Sequence, residues 1–188
     1  MLAMVSSDNV THIPSVIADP VRILTYPNPL LRKIADPVKE VTPQIRAIVL
    51  RMISTMLLAP GFGLAATQIG VMKRIITVNP GRILSEPDFH PLTMINPRIV
   101  RLSGEEADEE GCLSLPGVYA WMERPSLVEI EYTTMEGEPK TMVAEKYLAR
   151  CLLHEMDHLD GVLFWDRMSR AQRSALKLRY FTGTRWLR

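Results

Sequence analysis

Apolar residues return at helical spacing from Ile45 to Leu57, and they predict the first long element of the chain. Ile45, Ile48, Val49, Met52, Ile53, Met56 and Leu57 share one stripe, so this is a core helix whose methionines serve packing. Thr42 offers an N-cap hydroxyl, Pro43 suits the first turn, and the helix ends before Pro60. Upstream, Pro27, Pro29 and Pro37 make residues 21–41 extended chain wrapped over a surface. Downstream the period shortens, and 73–78, 92–95, 98–102 and 127–133 read as short strands. In the last of these Val128, Ile130 and Tyr132 alternate with Glu129, Glu131 and Thr133, as in a strand with one wet face. MEGEP at 135–139 is a hairpin turn into a strand at 140–144. Residues 146–159 are good helix formers with Gly161 placed where a helix would stop, and a last helix covers about 169–181. The order predicts an α+β fold, with short, mainly antiparallel strands around one central helix, an N-terminal helix and a C-terminal helix.

Composition narrows the class. A chain of 188 residues, 47% hydrophobic and with a net charge of +1, suits one soluble globular domain rather than a disordered or strongly nucleic-acid-seeking protein. No apolar run is long enough to span a bilayer. Residues 1–20 lack a basic start, a continuous apolar core and any arginine, so a polar arm is expected there rather than a signal or transit segment. The expected organisation is that arm, a domain over 21–168, and a basic helix and tail over 169–188. The only two cysteines, Cys112 and Cys151, point to reduced thiols and a cytoplasmic setting.

The chemistry concentrates in His154-Glu155-Met156-Asp157-His158. On a helix, residues four apart lie one above the other, so both imidazoles can offer a ring nitrogen to one ion. Glu155 sits beside them, able to move a proton without being a ligand. A third ligand must come from elsewhere. The extended helical metalloprotease pattern would put a histidine six residues after His158, but Phe164 stands there. Cys112, Cys151, His90, His12 and several carboxylates remain as candidates. A glycine-rich run, Gly61 to Ala66, leads to Gln68, and no lysine with Ser/Thr follows it, which argues against a phosphate cradle.

Three segments in order, within about residues 21–170, resemble the peptide deformylases: Gly61-Phe62-Gly63-Leu64-Ala65-Ala66-Thr67-Gln68, Glu110-Gly111-Cys112-Leu113-Ser114, and His154 to His158. The resemblance implies a metal-dependent hydrolase that removes the formyl group from N-terminal formyl-methionine of new proteins and releases formate. It implies Cys112, His154 and His158 as metal ligands, Glu155 as acid/base, and Gln68 with the Leu113 N–H as oxyanion donors. It also implies Fe²⁺ as the working ion, with zinc or another divalent metal as replacement, because one thiolate and two imidazoles suit either. Gly63, Glu110, Gly111, Tyr147, Arg150 and Cys151 are the expected substrate contacts; the last three share the His154 face of the helix, Arg150 with its stem on the wall and its charge in water. Leu153 stands where the family usually has glutamine, and Tyr119 near where many bacterial members have arginine, whereas Arg124 fits the pattern. A zinc peptidase and a non-catalytic metal module are the competing classes; the first predicts a glutamate or histidine as third ligand, the second a dispensable Glu155.

From Asp166 to Arg188 there are seven Lys/Arg and one acid. On a helix near Ser169, Met168, Ala171, Ala175 and Leu178 would form an apolar docking stripe, and Arg170, Arg173 and Lys177 a basic one opposite. By resemblance to enzymes acting on nascent chains, that basic stripe is expected to meet ribosomal RNA near the exit tunnel.

Overall fold

The computed structural model describes residues 18–59, 61–85 and 91–183. Helix α1 (Pro43–Leu58) begins as expected, with the Thr42 hydroxyl accepting from the Ile45 N–H. It buries Val49, Met52, Ile53 and Met56, while Leu57 at its end faces solvent. Strands β1 (Gly63–Ala65) and β2 (Ile75–Val78) follow, then a short helix α2 (Pro80–Leu84) that the periodicity did not predict. The segments read as two strands, 92–95 and 98–102, are one long strand, β3 (Leu92–Ser103). Asn96-Pro97 looks like a break, but Asn96 takes φ +52° and its side-chain amide exchanges two 2.8 Å hydrogen bonds with the Val38 backbone. The pairing with the next strand shifts register there and continues.

Strands β4 (Glu106–Gly111) and β5 (Tyr119–Arg124) form a separate antiparallel hairpin. Neither was predicted, because the acidic run in β4 masks any alternation. Strands β6 (Leu127–Thr133) and β7 (Pro139–Glu145) form the expected hairpin, and the five-stranded sheet runs β1-β2-β3-β6-β7 with every pair antiparallel. Helix α3 (Lys146–Leu159) lies against this sheet, and every residue from Leu148 to Leu159 is buried. One apolar cluster packs it on β2, β3, β6 and β7; a second joins α1 to β1 and β2. Burying a whole helix this way also buries Arg150, His154, Glu155, Asp157 and His158, so each of these must find partners indoors. No helix among the described residues is long and apolar enough to cross a membrane.

Helix α4 (Arg170–Thr182) docks by a different face from the one expected. Leu176 is 6% exposed, whereas Leu178, Ala171 and Ala175 point outward, Leu178 at 66%, and of the expected stripe only Met168, just before the helix, packs partly buried against the core. Lys177 is turned inward, its ammonium over the rings of Tyr26 and Trp165, and the Tyr180 hydroxyl donates to the Tyr26 carbonyl at 2.7 Å. A stripe of alanines offers little area, whereas one leucine, one tyrosine and a lysine stem fit the aromatic cleft made by Tyr26 and Trp165. Leu176→Ala is therefore expected to cost about 2–3 kcal/mol, as for a buried leucine, and Leu178→Ala no more than about 0.5 kcal/mol. Urea unfolding of the two variants distinguishes this docking from the one predicted by the stripe.

Candidate metal centre

The three ligand atoms of Cys112, His154 and His158 lie within 4.8 Å of one another. Two come from neighbouring turns of α3, whose rings stand 5.0 Å apart at 74°. The third comes from the turn that follows β4, where the Cys112 Sγ is 3.2 Å from the His158 Nε2. The Ser114 N–H points at the sulfur from 3.4 Å, and the Gln68 amide nitrogen lies 3.8 Å from it. The Glu110 carboxylate holds the His154 Nδ1 at 2.5 Å, which leaves the other ring nitrogen for an ion. One sulfur and two imidazole nitrogens, converging and with room beside them, form the donor set of a divalent ion with an open position. A single ion fits these residues. Cys151, also considered as a ligand, is buried and lies outside this cluster; His12 and His90 are outside the described residues.

Glu110 is the hub of a buried ionic network. Arg124 grips it with two bonds, Nε at 3.0 Å and Nη2 at 2.6 Å, and gives its third nitrogen to Asp157 at 2.7 Å. Arg150 adds a bond to Glu110 at 3.2 Å and one to the Glu106 carbonyl at 2.6 Å. Arg167 closes the far side with two bonds to Asp157, the one from Nε at 2.6 Å. Burial alone would raise the Glu110 carboxyl, but His154 and Arg124 hold it well below the ordinary range. Arg150 is 4% exposed, so the expectation that its charge reaches water is wrong. Arg150 does line the cavity, but its head turns to Glu110, which is itself buried and takes it as a second cation.

Glu155 behaves in the opposite way. Its Oε2 is buried with no hydrogen-bond partner among the described residues, and burial pushes its carboxyl up to about 7. Gly63 makes its position possible: a Cβ there would lie 2.5 Å from the Glu155 Oε1. The imidazoles are split, since burial and the His154 charge push His158 down, while Cys112 and Glu110 outweigh burial and raise His154. They do not carry two protons together, whereas an ion can take a lone pair from each.

A cavity of about 500 Å³ opens over this centre. It is lined by Gly63, Gln68, Glu110, Gly111, Cys112, Leu113, Tyr147, Arg150, Cys151, His154 and Glu155, so the residues singled out in the sequence come together here. His158 closes the floor through Cys112. Gln68 is held at both ends of its amide: its Oε1 accepts from the Ala65 N–H at 2.8 Å, and its Nε2 donates to the Ser114 hydroxyl at 3.1 Å. Sequence reasoning missed Phe62, whose ring meets that of Tyr147 edge-on at 5.4 Å, and the roles of Arg124 and Asp157. An aromatic between two glycines was the available signal for Phe62; Asp157 inside the histidine motif was the signal for the network. Leu153 is buried in the apolar core, so no hydrogen bond to the cavity is made from that position.

Comparison with known proteins gives a consistent set of similarities. Residues 20–174 match the family model described as polypeptide deformylase. The chain is 44% identical over 161 residues to a peptide deformylase of Rhizobium meliloti, covering 85% of this chain and 91% of that protein. Among solved structures, a Legionella pneumophila peptide deformylase superposes with a TM-score of 0.80 at 35% identity, covering 87% of this chain and 95% of that one. The Synechococcus elongatus peptide deformylase in complex with actinonin gives 0.80 at 36% identity, covering 98% and 96%.

Glu110→Gln is expected to lose about 3 kcal/mol of stability, because it strands two buried guanidinium groups with one carboxylate fewer. Removing the charge behind His154 should also weaken metal binding roughly 10–100-fold. Thermal unfolding and a Zn²⁺ titration against a competing chelator measure both effects.

Proposed function

The chain belongs to the polypeptide deformylase family and hydrolyses the formyl group from the N-terminus of nascent peptides, and on that premise we propose how its residues divide the work. The enzyme is metal-dependent, and Cys112, His154 and His158 would hold the ion. When bound, the ion supplies the Lewis acidity that makes water a nucleophile near neutral pH and polarises the formyl carbonyl. Glu155 takes the proton from the attacking water and returns it to the leaving amine. The observation that carries this role is its buried Oε2, which has no hydrogen-bond partner among the described residues. A carboxyl poised near 7 can both accept and release a proton under working conditions.

Gln68 and the N–H of Leu113 donate to the oxyanion that forms as water adds. Gln68 suits this because its orientation is set before substrate arrives, by Ala65 and Ser114. Phe62, Tyr147 and Cys151 form an apolar wall for the methionine side chain, with the Arg150 stem beside them, while Gly63 and Gly111 let substrate backbone come close. Glu110 serves this pocket through Arg150 and His154. The working ion is Fe²⁺, which one thiolate and two imidazoles accept as readily as zinc. A cytoplasmic setting fits a thiolate ligand and an unpaired Cys151. A cysteine as third ligand counts against the zinc-peptidase alternative.

Hydrolysis of formyl-Met-Ala-Ser, assayed anaerobically with Fe²⁺ and with Zn²⁺, tests this assignment. Glu155→Ala is expected to lower kcat at least 100-fold, on the scale of a lost general acid–base, with metal still bound. Gly63→Ala should also lower kcat, by displacing the same carboxylate. A robust rate in Glu155→Ala would remove Glu155 from the mechanism.

Contact with the ribosome near its exit tunnel belongs to the same proposal, narrowed by the docking of α4. Arg173 pairs with Asp166, and Lys177 lies over two rings, so the exposed Arg170 and the half-exposed Arg179 are the helix cations left to meet RNA phosphates. Removing residues 169–188 would strip Leu176 and Tyr180 from the core, so charge reversal is the cleaner test. The double variant Arg170→Glu/Arg179→Glu is expected to lose low-salt co-sedimentation with ribosomes while hydrolysing a free formyl-peptide at the normal rate. Unchanged co-sedimentation would overturn the contact.

A further inference from the structure

Residues 21–28 belong to no helix or strand, so their backbone groups must find partners one by one. The Leu24 N–H donates to the Gln68 carbonyl at 2.7 Å, and the Tyr26 N–H donates to the Ser114 carbonyl at 2.9 Å. One short strap thus grips two residues of the active centre. Gln68 is the side-chain donor for the oxyanion, and Ser114 is the residue that aims it.

The nitrogen of a side-chain amide carries two hydrogens. The Ser114 hydroxyl takes one of them, at 3.1 Å. The other is left for the cavity, which Gln68 lines and where its nitrogen lies 3.8 Å from the Cys112 Sγ. Where that second hydrogen points is therefore set by where Ser114 sits. Ser114 is fully buried and Gln68 is 1% exposed, so both answer to packing rather than to water.

The strap is held on its other side by α4. The Tyr180 hydroxyl donates to the Tyr26 carbonyl at 2.7 Å. Its ring meets those of Tyr26 and Trp165 edge-on, with centroids 6.0 Å and 5.9 Å away, and the Lys177 ammonium lies 5.7 Å above the Tyr26 ring. No residue of α4 lines the cavity. Three hydrogen bonds nevertheless lead from Tyr180 to the Gln68 amide, by way of Tyr26 and Ser114.

We propose that Tyr180 is a positioning residue for hydrolysis: its hydroxyl fixes the Tyr26 strap, and the strap fixes Ser114 and Gln68 in the geometry that receives the oxyanion. The proposal rests on the deformylase reading above. A preorganised donor stabilises developing charge only where its hydrogen meets that charge, and a misplacement of about 1 Å can cost roughly 100-fold in rate. Gln68 meets full negative charge only in the transition state, so a loosened strap lowers kcat and leaves KM alone.

Tyr180→Phe removes the hydroxyl and keeps the ring. On formyl-Met-Ala-Ser, with the Fe²⁺-loaded full chain held well below its unfolding temperature, kcat is expected to fall about ten-fold at unchanged KM. Gln68→Ala should fall about 100-fold, the scale of one lost oxyanion donor. Adding Tyr180→Phe to Gln68→Ala should then cost nothing further, because the group that the strap aims is gone. Leu178→Ala, on the exposed side of the same helix, should keep the normal rate. Unchanged kcat in Tyr180→Phe would overturn the positioning role and leave the deformylase reading intact. An equal ten-fold loss on top of Gln68→Ala would overturn it too, since Tyr180 would then act through the fold at large. So would a normal rate in Gln68→Ala, which would leave no donor to position. A wild-type enzyme that does not hydrolyse the peptide would overturn both readings.

Discussion

The active centre depends on one negative charge kept away from water. Glu110 sits on the inner side of β4, where burial by itself would force it to take a proton. Arg124 from β5, Arg150 from α3 and the His154 ring surround it, so it stays ionised. Each partner comes with an element attached. The carboxylate thereby fastens the hairpin that supplies Cys112 to the helix that supplies both histidines, and orients one of those histidines as it does so. Arg124 carries the linkage on to Asp157, and Arg167 from the turn after α3 closes it. The three candidate ligand atoms of Cys112, His154 and His158 converge with this network behind them.

A second carboxylate, in the helix that carries both histidines, shows what the absence of partners does. Glu110 and Glu155 are both buried, yet one is driven well below the ordinary range and the other up to about 7. Distance to arginine separates them. Glu110 touches two guanidinium groups, while Glu155 faces the backbone of Gly63 and the open cavity. The first is therefore a fixed charge that holds structure, and the second a group able to exchange protons. Environments that push like groups apart in this way assign roles within an active site.

The surface repeats this division. Along the hairpin, residues facing inward serve the ionic network and residues facing outward form an acidic, aromatic face at the cavity mouth. A two-residue period lets β5 hold Arg124 in the interior and Trp121 in water, so one short ribbon can both anchor the ionic network and form part of the cavity mouth.

Much of this could be read from the residues alone. The helix bearing both histidines, the helix after Thr42 and the β6–β7 hairpin follow from local rules: capping, periodicity and turn chemistry act within a few residues, so sequence determines them. The two histidines and Glu155 were legible for the same reason, since a helix fixes the relation of residues four apart. What lay beyond reach depended on segments far apart in the chain. Arg150 was expected to reach water, yet its head turns inward because Glu110, 40 residues earlier, waits beside it. The apolar stripe of α4 was read from its own spacing, yet the helix docks through Leu176, Lys177 and Tyr180 because Tyr26 and Trp165 form the cleft it meets. β4 was invisible because its acids obey no alternation of their own; the pairing with β5 decides which of them is buried. Local periodicity specifies an element, but the destination of a buried charge or a docking face is set by what the rest of the fold brings opposite it.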